Sequence, residues 1–278
     1  SFIETRSDKT ISTYGIISRI LFFRKIPYCI IGTGLGPVTT PFGRWGVSST
    51  LKSAKCISLR DPESVEYAKE ISIDLNIKTY VDMVLSDLVS INENYCERFG
   101  KVAVHFGPMI ERHINIDTLI KLIKKIRLLN IYVGLVSDCK PPEGDGISVF
   151  DKLARALGEE VEYIPYKGVD DFSRTLDRFD VILTSKLHGG ILGYTKGLFP
   201  ISIAEHVKTK RFYKQIGLEK YCFELSEEGF EKAINSLDEI RKNPKLAMEL
   251  LDANRDTVRS LACKNKDVLS EFLTSVFL

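Results

Sequence analysis

Residues 181–191 read VILTSKLHGGI, and this stretch decides the fold class. It begins with a short apolar strand, and near its end two glycines, Gly189 and Gly190, open a helix. Small hydroxyls, a cation and a histidine stand between them. A buried strand followed at once by a helix is typical of parallel α/β layers, in which helices cover both faces of the sheet.

Similar strand and helix pairs recur on both sides of this stretch, among them an expected helix over residues 46–55 and an expected strand over residues 78–85. Residues 138–146 are rich in Pro and Gly and are expected to form an exposed connection. Residues 90–98 are polar and form the best candidate for a linker. About six strands follow the linker, which is enough for a doubly wound sheet, whereas only three precede it. We therefore predict an α/β protein with two Rossmann-like domains of the glycosyltransferase-B type, over residues 1–95 and 96–278, the C-terminal helices belonging to the second. The N-terminal domain has too few strands to be complete.

The composition indicates a soluble globular protein, with 44% hydrophobic and 27% charged residues among 278. A net charge of only +2 creates no overall positive field, so nucleic acid is not predicted as a partner. The six cysteines are scattered, with no C-x-x-C pair and no histidine at ligand spacing. We therefore predict reduced thiols, a cytoplasmic location and no metal site.

The sequence contains no stretch typical of a secretory signal or a membrane-spanning helix. Its most apolar early segment, residues 15–23, is short and is interrupted by Arg19. The first residue is Ser1 rather than Met, from which we expect a trimmed or partial version of a longer protein.

The chemistry of the chain is concentrated at Lys186 and His188. Strand alternation would place these two side chains on one side and Leu187 on the other, in the core. The N–H groups of Gly189 and Gly190 would point the positive end of a helix at the same place. This combination predicts an anion site with its own proton donor. The alternative is a histidine that caps a helix beside a solvated lysine.

Two further basic or titratable positions follow neighbouring strands. Lys208 and Arg211 come after the strand near residue 202, where they either face the same ligand or form a solvated basic surface. His105 ends another strand and would line the cleft, although a histidine at the edge of the core is equally consistent with its position.

In the first half, Arg60 stands at a strand end before a helix. Its guanidinium suits bidentate binding of a carboxylate or phosphate, while Asp61 or Ser64 would cap the helix. The glycine run at residues 32–37 ends in proline, which does not fit a dinucleotide-binding loop. We interpret it instead as a tight turn whose Gly34 and Gly36 line the cleft.

Taken in order, these segments resemble the polysaccharide pyruvyl transferase family over roughly residues 25–220. The segments that carry the resemblance are the Gly-x-Gly-x-Gly-Pro turn at 32–37, Arg60-Asp61-x-x-Ser64, an acidic residue after the next strand (Asp82 or Asp87), Ser185-Lys186-Leu187-His188, Gly197-x-x-Pro200, and Lys208 ahead of Phe212.

The resemblance implies a ketal pyruvyl transferase. Such an enzyme moves the enolpyruvyl group of phosphoenolpyruvate onto a sugar of a bacterial surface polysaccharide, such as an exopolysaccharide or capsule, or of its precursor. The first domain would face the acceptor and the second the donor. The family pattern places Arg60, Lys186, His188 and Lys208 around the phosphoenolpyruvate. The helix end at Gly189 is expected to add to this binding site, and His188 is expected to be the catalytic residue. Lys186 replaces the arginine usual in the family, which keeps the charge but loses the bidentate fork.

The resemblance also implies the surroundings of the reaction. Phosphoenolpyruvate is a co-substrate, and no cofactor is expected. The acceptor is a saccharide or lipid-linked saccharide, which allows peripheral contact with the inner face of the membrane. A catalytic carboxylate is expected on the acceptor side, with Asp61, Asp82 and Asp87 as candidates. The glycine- and asparagine-rich segment that opens the family's first domain is missing from this sequence.

Two other functions are compatible with the predicted fold. One is a nucleotide-sugar glycosyltransferase of the same architecture, which is disfavoured because no glutamate lies between Glu162 and Glu205 to hold the donor. The other is a sugar-binding domain without catalysis.

Overall fold

The protein forms two compact units, Ser1–Ser86 with Thr257–Leu278, and Asp87–Asp256. The structure, a computed structural model, describes residues 8–36, 38–71, 75–89, 99–107, 110–138, 148–204 and 206–277. The sequence predicted a division at residue 95 with all C-terminal helices in the second domain. The compact units instead divide after Ser86, and the end of the chain belongs to the first. The predicted linker at 90–98 lies outside the described residues.

The strands of the two units form separate parallel sheets. They are β1 (Cys29–Thr33), β2 (Cys56–Leu59), β3 (Ile77–Thr79), β4 (Lys101–His105), β5 (Tyr132–Val136), β6 (Glu162–Ile164), β7 (Val181–Thr184), β8 (Phe199–Ala204) and β9 (Cys222–Glu224).

The helices alternate with these strands, as the sequence predicted. They are α1 (Asp8–Phe23), α2 (Pro41–Ser53), α3 (Pro62–Ile71), α4 (Ile116–Leu128), α5 (Val149–Leu157), α6 (Val169–Leu176), α7 (Leu187–Thr195), α8 (Val207–Ile216), α9 (Glu227–Lys242), α10 (Pro244–Asp252) and α11 (Arg255–Phe277).

The first unit has three strands in the order β1-β2-β3, all parallel, as predicted from the sequence. Its strands are tied to α11 by Asn265, which is fully buried. The Asn265 side chain accepts a hydrogen bond from Ser58 Oγ at 2.7 Å and donates one to the carbonyl of Val81 at 2.9 Å. A buried amide that is satisfied at both ends fixes the helix on the sheet.

Two elements of this unit differ from the sequence prediction. A strand was expected over residues 78–85, but β3 ends at Thr79 and residues 83–87 form a 3₁₀ helix. The Asp82 carboxylate accepts the N–H of Val84 at 3.2 Å, a local turn that competes with an extended backbone. Helix α2 was expected from Gly46 but begins at Pro41. The Thr40 side chain caps it and proline occupies the first turn, where its missing N–H costs nothing.

The second unit has the order β6-β5-β4-β7-β8-β9, with every pair parallel. The prediction of a complete doubly wound sheet with six strands is confirmed. Strands β4 to β6 extend the sheet in one direction and β7 to β9 in the other, so the order reverses between β4 and β7. Ligands of open α/β sheets bind at this reversal, outside the carboxyl ends of the strands.

Within the described ranges, no helix combines the length and the apolar character needed to cross a membrane. The same residues contain no cluster of three or more histidine, cysteine or acidic side chains arranged to hold a metal ion. Cys29, Cys56, Cys222 and Cys263 are free thiols, while Cys96 and Cys139 lie outside the described residues.

Candidate functional site

The candidate site lies at the carboxyl edge of the six-stranded sheet, where the strand order reverses. β4 ends at His105 and β7 ends at Thr184, and these two residues are direct register partners. The most informative sequence segment, residues 181–191, therefore runs along β7 and reaches the topological switch point at the end of this strand. This is the place where this class of sheet binds its ligands.

Hydrogen bonds join the two loops that leave β4 and β7. Ser185 N–H donates to the carbonyl of His105 at 3.1 Å, and Gly107 N–H donates to Ser185 Oγ at 2.8 Å. Thr184 Oγ1 accepts the N–H of Lys186 at 3.0 Å and lies 2.9 Å from Nδ1 of His105. The Thr184 hydroxyl also donates to the carbonyl of Lys186 at 3.3 Å, so the direction of its bond with His105 follows from the imidazole tautomer.

Asp138, two residues beyond β5, connects His105 to Lys186. Its Oδ2 pairs with the Lys186 ammonium, and its Oδ1 lies 3.4 Å from His105 Nε2. The second contact is electrostatic, since no described residue offers Nε2 a hydrogen bond of acceptable geometry. Lys186 is therefore held in place by a partly buried carboxylate, and the interpretation of a merely solvated lysine does not fit.

Burial sets the protonation state of this group. His105 is fully buried, which lowers its pKa below the usual range, and the neighbouring Asp138 opposes this only in part. Burial by itself would raise the pKa of Asp138. That pKa is nevertheless lowered, because His105 and the Lys186 ammonium stabilise the carboxylate. At neutral pH the cluster contains a neutral imidazole, a carboxylate and an ammonium, so Asp138 offsets part of the positive charge that the sequence analysis attributed to Lys186.

Helix α7 begins directly after this cluster, with Lys186 as its N-cap residue. No side chain of the described residues caps the helix. Its first internal hydrogen bond runs from Gly190 N–H to the Lys186 carbonyl at 3.2 Å, so the expectation that this N–H faces a ligand is wrong. The earlier N–H groups, up to that of Gly189, have no acceptor within the helix. Leu187 is buried, as predicted, but helix geometry rather than strand alternation turns it inward.

Gly189 has a packing role that the sequence did not indicate. A Cβ at this position would lie 2.3 Å from Nδ1 of His105 and 2.7 Å from Oγ1 of Thr184. Only glycine lets the helix N-terminus approach the buried imidazole so closely. At Gly190 the nearest atom would be 3.5 Å away, an ordinary contact. Gly189 therefore covers His105. His105 is a buried residue that supports the start of α7, and it does not line an open cleft.

The remaining predicted residues of the second unit follow neighbouring strands. His188 is exposed in the first turn of α7, and Lys208 is partly exposed in the first turn of α8. β7 and β8 are adjacent and parallel, so both helices start at the same sheet edge. A shared ligand for His188 and Lys208 stays a prediction.

In the first unit, Arg60 lies just beyond the end of β2 and is only 7% exposed. Its Nη1 lies 3.3 Å from Asp82 Oδ2 and its Nε lies 3.8 Å from Asp61 Oδ2. Its guanidinium occupies the space that a Cβ on Gly34 would need, within 2.5 Å. Of the two acidic candidates left open by the sequence, Asp82 is the one that pairs with Arg60.

The Asp61 carboxylate is engaged in holding the neighbouring turn. It accepts the N–H of Ser64 at 2.7 Å, which confirms the predicted cap of α3. Ser64 Oγ in turn accepts the N–H of Leu35 at 2.8 Å. This network anchors the glycine turn at Leu35, and the next residue of the turn, Gly36, is buried. Asp61 therefore has a structural role as the cap of α3. Arg60 belongs to the first unit, whereas Lys186, His188 and Lys208 belong to the second.

Asp138 is the site residue that sequence reasoning missed. The sequence predicts that it belongs to an exposed Pro- and Gly-rich connection over residues 138–146, of which 139–146 lie outside the described residues. Its position two residues after a strand that borders β4 was the available signal, because polar residues at the carboxyl ends of adjacent parallel strands meet.

Solved structures of sugar-nucleotide enzymes share this fold. A protein assigned as a UDP-N-acetylglucosamine 2-epimerase from Listeria monocytogenes superposes with a TM-score of 0.68 at 11% identity, covering 94% of this chain and 71% of that one. The UDP-GlcNAc 2-epimerase from Neisseria meningitidis gives 0.62 at 12% identity, with 97% and 83% covered. TarM from S. aureus gives 0.52 at 12% identity, with 88% and 49% covered. At such identities the likeness shows the fold alone, which is an α/β fold of the glycosyltransferase-B type with Rossmann-like domains.

The sequence assigns the chain more narrowly than the fold does. The family model of polysaccharide pyruvyl transferases matches residues 4–205, well over half of the chain. This protein belongs to the polysaccharide pyruvyl transferase family and is thus a transferase of polysaccharide biosynthesis. No curated protein sequence matches it.

Proposed function

We propose that this protein transfers the enolpyruvyl group of phosphoenolpyruvate to a saccharide acceptor, free or lipid-linked, and closes it into a pyruvate ketal. The observation that carries the proposal is the geometry at the switch point. A fixed ammonium, a helix N-terminus without a side-chain cap and an exposed imidazole follow one strand at the edge where such sheets bind ligands. Family membership gives this anion-binding geometry its chemical context.

Phosphoenolpyruvate carries a carboxylate and a phosphate, so its site requires several positive groups. Lys186 supplies a charge that Asp138 orients, and the first turn of α7 supplies N–H groups and its dipole. Lys208 lies in the first turn of the adjacent helix α8 and adds a second ammonium. The contribution of Arg60 from the first unit, implied by the family pattern, remains a prediction.

His188 is the proton donor in this proposal. Its imidazolium protonates the methylene carbon of phosphoenolpyruvate, which leaves an oxocarbenium-like centre at the neighbouring carbon. One sugar hydroxyl adds to that centre and returns a proton to the imidazole. The second hydroxyl then displaces phosphate, which leaves with the remaining proton, and the ketal ring closes. A cytoplasmic location at the inner face of the membrane stays part of the prediction.

The proton-donor role is tested by replacing His188 with Ala. We expect ketal formation to fall by at least about a hundredfold, as for loss of a general acid, while binding of phosphoenolpyruvate persists. His113→Ala, at another exposed histidine of the second unit, is the matched control and should be fully active. Undiminished turnover by the His188 variant would end the proposed mechanism.

The donor assignment is tested by thermal shift with phosphoenolpyruvate and with UDP-N-acetylglucosamine. Stabilisation by phosphoenolpyruvate is expected, and it should be lost in Lys186→Ala but kept in Lys196→Ala, whose ammonium also pairs with an aspartate, Asp177. Stabilisation by the UDP-sugar alone would favour a nucleotide-sugar enzyme. A response to neither ligand would favour a sugar-binding domain without catalysis.

A further inference from the structure

Helix α1 exposes most of its apolar side chains. Ile20 is 53% exposed and Phe23 is 77% exposed, values unusual for aliphatic and aromatic residues of a helix. The exposed group continues onto α2, where Phe42 and Trp45 stack with ring centroids 5.4 Å apart. We call this surface the α1 patch, which comprises the side chains of Ile16, Ile20, Phe22, Phe23, Phe42 and Trp45.

The patch is exposed because α1 contacts the rest of the unit through a narrow stripe. Among the α1 side chains that the structure describes, the buried ones are Ile11, Gly15 and Ser18. A Cβ on Gly15 would lie 2.6 Å from Gly46 Cα and 3.1 Å from the Trp45 ring, so the glycines bring α1 against α2 and place Trp45 beside it. Among the described residues, α2 is the only element with which α1 packs extensively.

The sequence on and around the patch is predominantly basic, although α1 itself begins with the acidic Asp8. Residues 9–60 contain eight lysines and arginines and no acidic residue, although the whole chain has a net charge of only +2. Arg19, Arg24, Lys25 and Arg44 are exposed on or beside the two helices. Apolar side chains bordered by cations are suited to a lipid bilayer, which has an apolar interior and anionic headgroups. They are less well suited to a neutral protein surface.

We propose that the α1 patch docks on an anionic lipid bilayer, with the α1 side chains in the interface and the flanking cations against lipid phosphates. The contact is peripheral and does not depend on which substrate the second unit binds. It would bring the enzyme to a membrane surface independently of catalysis.

Trp45 allows a direct test, since it is the only tryptophan of the chain. Purified protein is mixed with phosphatidylcholine vesicles or with vesicles that also contain phosphatidylglycerol. We expect flotation with the anionic vesicles, a blue shift of the tryptophan emission as Trp45 leaves water, and weaker binding at high salt.

Two double variants separate the apolar from the electrostatic contribution. Phe22→Ser with Phe23→Ser, and Arg19→Glu with Arg24→Glu, should each weaken binding by about tenfold or more. The matched controls are Leu246→Ser and Lys245→Glu, exposed residues of α10 in the other unit, which should bind like the parent protein. All replaced residues are exposed, and unchanged thermal unfolding would establish that the variants fold.

Three results would overturn the proposal. They are absence of binding to anionic vesicles, equal binding to neutral vesicles, and equal losses in the patch and control variants. A dimer that the phenylalanine variant dissociates, in protein that ignores vesicles, would instead identify the patch as an interface between copies of the chain.

Discussion

Replacing Gly189 with Ala tests the close approach of α7 to the buried His105. The new Cβ would stand 2.3 Å from Nδ1 of His105, about 1 Å inside ordinary contact distance. The imidazole cannot move away easily, because it is hydrogen-bonded to Thr184 and packs against the ring of Phe172, with the two ring centroids 5.3 Å apart. Overpacking of this kind costs about 1–3 kcal/mol, and the better helix propensity of alanine returns at most about 1 kcal/mol. We expect a net loss of up to about 3 kcal/mol in the free energy of unfolding, and of up to about 2 kcal/mol if the full gain in helix propensity is realised.

The adjacent Gly190→Ala variant is the matched control. It makes the same chemical change one residue later in the same helix, where the nearest atom would be 3.5 Å away. We expect this variant to be neutral or up to about 1 kcal/mol more stable.

Urea unfolding of both glycine variants measures the difference. Far-UV ellipticity reports the whole chain, while Trp45 emission reports the first unit, which matters because a chain of two units need not unfold in one step. The ellipticity transition of the Gly189 variant should move to lower urea. If it coincides with that of the parent protein, or if the Gly190 variant is the less stable of the two, the packing argument is wrong.

Two further predictions concern buried polar groups. Burial lowers the pKa of His105, so the unfolded chain binds a proton near its ordinary pKa of about 6.5 that the folded chain does not. Stability should therefore fall as pH drops below that value, by at most about 1.4 kcal/mol per pH unit for one proton, and His105→Asn should flatten the pH dependence measured by denaturant unfolding. Asn265→Ala leaves the hydroxyl of Ser58 and the carbonyl of Val81 without their buried partner, and should lower the free energy of unfolding by about 2 kcal/mol or more. Equal stability of this variant and the parent would show that α11 is held by apolar packing alone.

The fold of the second unit could be predicted because each of its strands has a local signature. The strand and helix periods alternate, and six strands joined by helices are enough for a doubly wound sheet. The elements that were predicted wrongly depend on a single side chain. Asp82 ends the extended backbone after β3, and Thr40 with Pro41 starts α2 early. The ends of these elements are determined by hydrogen bonds and backbone geometry within a few residues, and apolar periodicity does not predict them.

The candidate site was predictable in part for the same reason. Lys186 and His188 are adjacent in sequence and follow one strand, so a local pattern indicates them. Asp138 lies 48 residues before its partner Lys186, on a different strand. Only the lateral order of the strands brings these two residues together, and that order cannot be read from any single segment.

The structure also changes what the His-Gly-Gly segment means. From the sequence alone the whole segment is interpreted as functional, because the sequence indicates no structural need for it. Gly189 has such a need, since it contacts the buried His105, so a glycine there would be required even in a protein without catalysis. His188 is exposed on the same helical turn. Lys186 is different again, because a partly buried Asp138 fixes its ammonium at the switch point. The functional inference therefore depends on His188 and Lys186, and Gly189 explains how the helix N-terminus comes close to the buried His105.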